Sequence, residues 1–142
     1  MPWGYGVTPF LSYTDIRRRS MPVENVVTLE KSEPVSRTSG PKTNPKSGEP
    51  FASNVTYFDH SSGNFKAGTW DCTAGSWEHN HPKLEFCHIV EGSVKIIEED
   101  SGVTHVYNKG DSFVVPKGTR VTWVVEEYAK KIFVSAAHLD GL

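Results

Sequence analysis

The sequence predicts an all-β protein, a sandwich or barrel of many short strands, and three observations carry that expectation. From residue 54 onward, short runs rich in Val, Ile, Thr, Phe, Tyr and Trp recur at close, regular spacing. Turn residues, mostly Gly and Pro with Ser, Asp and Lys, separate them. No long amphipathic helical period interrupts the pattern. At 142 residues the chain makes one domain, long enough to bury a core without covalent staples.

Residues 1–20 match no period and contain Pro2, Gly4, Gly6 and Pro9. Met21-Pro22 reads as a natural protein start, so translation is expected to begin at Met21. PVENVVTLE, residues 22–30, can form one short strand, whereas SEPVSRTSGPKTNPKSGEP, residues 32–50, keeps neither a helix nor a strand period. The division is therefore an extended N-terminal arm over 1–50 and a β-barrel over 51–142. Candidate strands are Val55–Phe58, Lys66–Cys72, Ser76–His79, Leu84–Val90, Ser93–Glu98, Val103–Tyr107, Ser112–Val115, Arg120–Glu126 and Lys131–Ala136. Between them lie turn signals such as Ala74-Gly75, Glu91-Gly92, Lys109-Gly110-Asp111 and Pro116-Lys117-Gly118.

The totals exclude several classes. A formal charge of −2 argues against non-specific nucleic-acid binding, and Arg17-Arg18-Arg19 reads as a solvated run. Two cysteines, Cys72 and Cys87, are too few for a disulfide framework. Without a secretory apolar run or a membrane-length apolar stretch, the expectation is a soluble cytoplasmic chain with reduced thiols. The glycosylation pattern Asn54-Val55-Thr56 carries no weight in that setting.

The chemistry concentrates in WEHNHPKLEFCHIVEG, Trp77 to Gly92, which holds three histidines, three glutamates and a cysteine. His79 and His81 are two apart, so on a strand both imidazoles share one face. Pro82 ends that strand, and if the next one pairs back, Glu85 presents a carboxylate to the same point. Two histidines and a carboxylate form the ligand set of open metal sites, suited to Mn, Fe, Zn or Ni.

The spacing is HxHx3Ex6G from His79 to Gly92, followed by Gx5PxG from Gly110 to Gly118. These stretches resemble the two signature motifs of the cupin superfamily, over roughly residues 54–137. The wording GTWDCTAG from Gly68, with EFC from Glu85, VEG from Val90, GDSFVVP from Gly110 and Thr122-Trp123, is similar to a subgroup of small single-domain cupins. That subgroup is related to the cupin domains of ureidoglycine aminohydrolase and the ethanolamine-utilisation proteins. The resemblance implies a jelly-roll barrel and a homodimer. It also implies a fourth metal ligand, a histidine, at the position here held by Val121. Valine cannot ligate, which leaves a three-ligand set, a lapsed site, or one completed by His105, Tyr107 or Cys87.

Parity assigns the rest. Trp77 shares a face with His79 and His81, and Trp123 with Val121, so both indoles are expected at the pocket. Cys87 shares the face of Glu85, and His105 and Tyr107 share one with Val103. The expected pocket is therefore lined by Trp77, Cys87, His105, Tyr107, Val121 and Trp123 around His79, His81 and Glu85. His88 has the opposite parity and faces outward with Phe86 and Val90, a partly apolar face suited to a dimer. Asp59-His60-Ser61 is no triad, because triads are assembled by the fold and not by adjacency. Two functions follow: a divalent-metal enzyme acting on a small polar metabolite, by C–N hydrolysis or oxygenation, or a metal-free metabolite-binding or sensor cupin. Neither involves nucleic acid or a membrane.

Overall fold

The computed structural model describes residues 26–138; the expected start at Met21 and the arginine run lie outside them. Of the strand expected over 22–30, the described part forms a turn instead. Ser32 closes it, its N–H donating to the Thr28 carbonyl at 2.8 Å while its Oγ accepts from the Thr28 N–H. The strand order in sequence is β1 (Ser36–Pro41), β2 (Ser47–Gly48), β3 (Phe51–Asp59), β4 (Phe65–Asn80), β5 (Leu84–Glu98), β6 (Thr104–Asn108), β7 (Ser112–Val115) and β8 (Arg120–Ala136). All pair antiparallel in the order β1-β3-β4-β8-β5-β6, with β2 on β4 and β7 on β5. The result is the all-β barrel that the sequence predicts. The segment 32–50 is more regular than its composition suggests: β1 pairs with β3 along its whole length, from Ser36 opposite Thr56 to Pro41 opposite Phe51.

Three pairs of the short strands expected from sequence are in fact three long strands. Lys66–Cys72 and Ser76–His79 merge in β4, Leu84–Val90 and Ser93–Glu98 in β5, and the last two in β8. What reads as a turn at Ala74-Gly75 or Glu91-Gly92 is a break in register, between Thr73 and Gly75 in β4 and between Ile89 and Lys95 in β5. A bulge adds a residue, bends the strand and lets both ends wrap one core. Gly92 shows why glycine is required. Its φ is +72°, and a Cβ there would lie 1.9 Å from the Tyr128 carbonyl oxygen. At Gly75 a Cβ would strike the Pro50 ring, so the 42–50 loop can lie flat across the β4 bulge.

The bulges change which parity faces inward. In β4 the buried residues Trp70 and Cys72 precede the bulge and Trp77 follows it at odd positions; in β5 Cys87 and Ile89 give way to Val94 and Ile96. These side chains join Phe113, Val115, Val121, Trp123, Val125, Ala129 and Phe133 in one core. Outside, Phe86 and Val114 stay exposed. Among the described residues, no helix is long and apolar enough to cross a membrane.

Gly92→Ala is expected to cost about 3 kcal/mol or more, since it adds a left-handed alanine to a clash with backbone. Gly40→Ala in β1, where nothing lies within 4 Å of the added methyl, is expected to stay within about 0.5 kcal/mol. Urea unfolding of both variants checks this; equal losses would disprove the role given to Gly92.

Candidate functional site

The register of β4 on β8 builds one wall of the site. Trp77 stands opposite Trp123 and His79 opposite Val121, so the two indoles lie parallel, 2° apart in plane, with centroids 6.3 Å apart. Trp70 tilts against both. His81 follows the end of β4 and is pinned to the Pro116–Thr119 turn: its N–H donates to the Thr119 carbonyl, and its carbonyl accepts from the Gly118 N–H. Its ring lies edge-on to His79, centroids 4.4 Å apart.

His81 is 2 % exposed, and its tautomer follows from its neighbours. Trp123 Nε1–H donates to His81 Nε2 at 3.1 Å. An indole nitrogen only donates, so Nε2 must be bare and the proton must sit on Nδ1. That Nδ1 faces Glu85 Oε1 at 3.5 Å. Burial, with His79 beside it, pushes the His81 pKa down to about 4, so the ring is neutral at pH 7. His79 is likewise held below the ordinary histidine value, by burial first and then by the charge of Lys42.

Glu85 meets a second partner in the barrel. Lys131, only 5 % exposed, donates from Nζ to Glu85 Oε2 at 2.7 Å. Its ammonium also lies 4.2 Å from the Trp123 ring centroid and 4.6 Å from that of Trp70. A desolvated cation over an aromatic face gains up to about 2 kcal/mol. Desolvation works against the charge on Lys131, but the charge and hydrogen bond of the Glu85 carboxylate oppose it, and the amine is held above the ordinary lysine value. Burial alone would raise the Glu85 carboxyl; the Lys131 charge and hydrogen bond outweigh it and keep it below the usual carboxylate range. The Cys87 thiol donates to Glu85 Oε2 at 3.4 Å, and burial pushes its pKa up to about 12. Cys87 is a buried thiol without thiolate character.

A cavity of about 300 Å³ opens beside this cluster. Trp77, His79, His81, Glu85 and Trp123 line it, with Trp70, Lys131, Phe133 and Ser135 on the walls and Lys42, Asn54, Pro82 and Lys83 completing it. Cys87 and Val121 lie behind it as fully buried core. His105 and Tyr107 are not at the cavity. β6 carries them beside the far half of β5, where Tyr107 stacks on Phe113 at 3.9 Å and His105 binds Glu98 at 2.7 Å. His88 faces outward and binds Ser112.

The expected metal set of His79, His81 and Glu85 therefore shares one cavity but does not fit a divalent ion. His81 Nε2 is taken by an indole N–H, and its Nδ1 holds the proton that ligation would have to remove. An ammonium group occupies Glu85 Oε2. Among the described residues, no three His, Cys, Asp or Glu side chains come together as a metal-binding group.

Removing one member of the buried pair leaves the other uncompensated. Lys131→Met is expected to cost about 3–5 kcal/mol, and adding Glu85→Gln should recover most of that loss. Chemical denaturation of the single and double variants measures it, and additive losses would contradict the pairing. The His81 pKa, lowered from 6.5 to about 4, fixes a pH window. Above pH 6.5 the ring is neutral folded and unfolded; as pH falls toward 4 the unfolded state takes up the proton first, and the native state loses about 3 kcal/mol. His81→Gln should flatten that limb of the stability–pH curve; an unchanged slope would contradict the assignment.

The sequence profile of the EutQ-like cupin domain matches residues 60–133, more than half of the chain. No curated protein matches the sequence. Among solved structures the chain is similar to the EutQ protein of Clostridium difficile, with TM-score 0.56 and 19 % identity over 62 % of this chain and 64 % of that one. It is also similar to a DUF861 family protein of unknown function from Pseudomonas syringae pv. tomato, with TM-score 0.62 and 22 % identity over 80 % of this chain and 45 % of that one. A candidate ethanolamine utilization protein Q from Salmonella typhimurium gives TM-score 0.56 and 12 % identity, over 72 % and 96 % of the two chains. At such identities the structural likeness shows the fold alone, and this chain spans less than two thirds of the first two proteins. Barrel, motif pair and profile agree that the chain belongs to the EutQ-like cupin domain family.

Proposed function

We propose that this cupin binds a small organic anion in its barrel, without a metal ion. The observation that carries the reading is Lys131, whose ammonium stands on Glu85 inside the cavity wall. Lys42 and Lys83 line the same cavity, so three ammonium groups face one carboxylate that is already paired. Both histidines are held below their ordinary pKa and stay neutral, so the positive charge of the cavity comes from its lysines. Low-dielectric aromatic walls strengthen the attraction for an anion.

Neutral polar groups and aromatic faces complete the lining. Asn54 and Ser135 add neutral polar contacts, and Trp70, Trp77 and Phe133 offer flat apolar surface. A carboxylate on a short or planar carbon skeleton matches this set and the cavity's size. The metal-dependent C–N hydrolysis that the motif resemblance implies would need His81 and Glu85 free to ligate, and both are engaged.

Calorimetric titration with a panel of small mono- and dicarboxylates should give binding that the matching amides and amines do not. Lys42→Gln is expected to weaken it about tenfold or more, the loss of one charge-assisted contact. Preferential binding of amines would overturn the proposal. So would stoichiometric metal in protein purified without chelator or tag, lost on His79→Ala/His81→Ala substitution.

A further inference from the structure

We propose that Lys42 is a carbonyl-reactive amine, which condenses reversibly with a small oxo acid held in the cavity to form an imine. The inference rests on the organic-anion reading of the same cavity and adds a covalent step to it. Three observations on Lys42 carry it.

The first is that Lys42 has no ion-pair or hydrogen-bond partner among the described residues. Among the described residues no carboxylate lies within ion-pair reach of its Nζ, and its side chain makes no hydrogen bond. Lys131, by contrast, is locked on Glu85 at 2.7 Å, and its lone pair stays protonated. The second is its setting. Its Nζ lies 4.9 Å from the Trp77 ring centroid and 5.9 Å from that of Trp70, on the cavity wall. The third is that its backbone is held. The Lys42 N–H donates to the Pro50 carbonyl at 2.9 Å, and the Lys46 N–H donates to the Ser76 carbonyl at 2.7 Å. Ser47 and Ser76 hydroxyls bond at 2.7 Å, strapping the loop to β4.

Burial lowers the Lys42 pKa, and the Lys131 charge adds to that lowering while Cys72 and Glu85 act against it. A lysine desolvated beside a second cation is a recognised way to free an amine lone pair. The lone pair adds to the carbonyl carbon, and the carbonyl oxygen takes up a proton to give a carbinolamine. The nitrogen then loses a proton and the hydroxyl takes up a second one, the C–O bond breaks to release water, and C=N forms as a protonated imine that can give up its remaining N–H proton. No electrons are gained or lost overall. His79 lines the same cavity and is neutral, so it can exchange the protons. Lys131 and Lys83 remain to hold the carboxylate of the oxo acid.

The test uses the full chain with pyruvate or glyoxylate and sodium cyanoborohydride, which reduces imines to stable secondary amines. Intact mass and peptide mapping then locate the adduct. Labelling at Lys42 is expected at least about tenfold faster than at any other lysine, as a lowered pKa predicts. Excess lactate, an anion without the carbonyl, should suppress it, and Lys42→Arg should abolish it while keeping the fold by thermal melting. Uniform labelling of surface lysines, or labelling at Lys131, would overturn the proposal. Lactate titration separates the two readings: lactate bound but Lys42 unlabelled defeats the imine and leaves anion binding standing. Neither binding nor labelling defeats both.

Discussion

The ion pair between Lys131 and Glu85 is the interaction on which the site depends. A buried pair seldom gains from its charges alone, because desolvating both ends costs several kcal/mol. Here that cost is offset from all sides. Trp70 and Trp123 present ring faces to the ammonium, and the Cys87 thiol donates to the carboxylate. His81 Nδ1–H faces the other carboxylate oxygen. The donors share one sense: indole to imidazole, imidazole toward carboxylate, ammonium to carboxylate. Glu85 is the acceptor in which they end, and its ionised form is the one that best satisfies the ammonium and the imidazole N–H.

That convergence requires strands that cannot run straight. β8 carries Val121 and Trp123 on one side of an exposed stretch at Glu126–Tyr128, and Lys131 and Phe133 on the other, into the interior. Its partners β4 and β5 shift register against it, so Trp77 reaches Trp123 while Trp70 lies across from Lys131. Without the bulge at Thr73–Gly75, one of those two tryptophans would face solvent, because a one-residue slip turns a side chain to the other face. The same bulge leaves the bare Gly75 surface on which Pro50 rests, and that contact sets the loop bearing Lys42.

What could be read from the chain follows from this geometry. His79, His81, Trp77 and Trp123 sit on short stretches of unbroken parity, so alternation set each on its face and the motif spacing set that face on the cavity. The three long strands were hidden because a glycine that ends a strand and one that bulges it look alike in local sequence. His105 and Tyr107 were drawn inward by parity, which says which face is buried but not which end of the barrel. Lys131 was readable as inward from its parity with Phe133, yet a buried lysine needs a partner. That partner is Glu85, 46 residues earlier, brought close by the pairing of β5 with β8. Lys42 gave no periodic signal, since it stands in a loop whose path is set by Gly75 and Ser76 rather than by its own residues.

The departure at Val121 belongs with the other two features of the site. A histidine there would stand opposite His79 in the β4–β8 register, beside the position where a ligated ion would lie. Valine removes that donor, Trp123 uses the Nε2 of His81, and Lys131 supplies a permanent positive charge next to Glu85. Each change makes the others tolerable. With an ion present, Lys131 would sit against a second cation in a low-dielectric cavity; without one, Glu85 would be a buried carboxylate lacking a counter-charge were Lys131 absent. In the proposed metal-free reading the ammonium takes over the electrostatic task of a metal while leaving the cavity open. A histidine at 121 alone would not restore a ligand set, because the indole N–H and the ammonium would still hold the donors it needs.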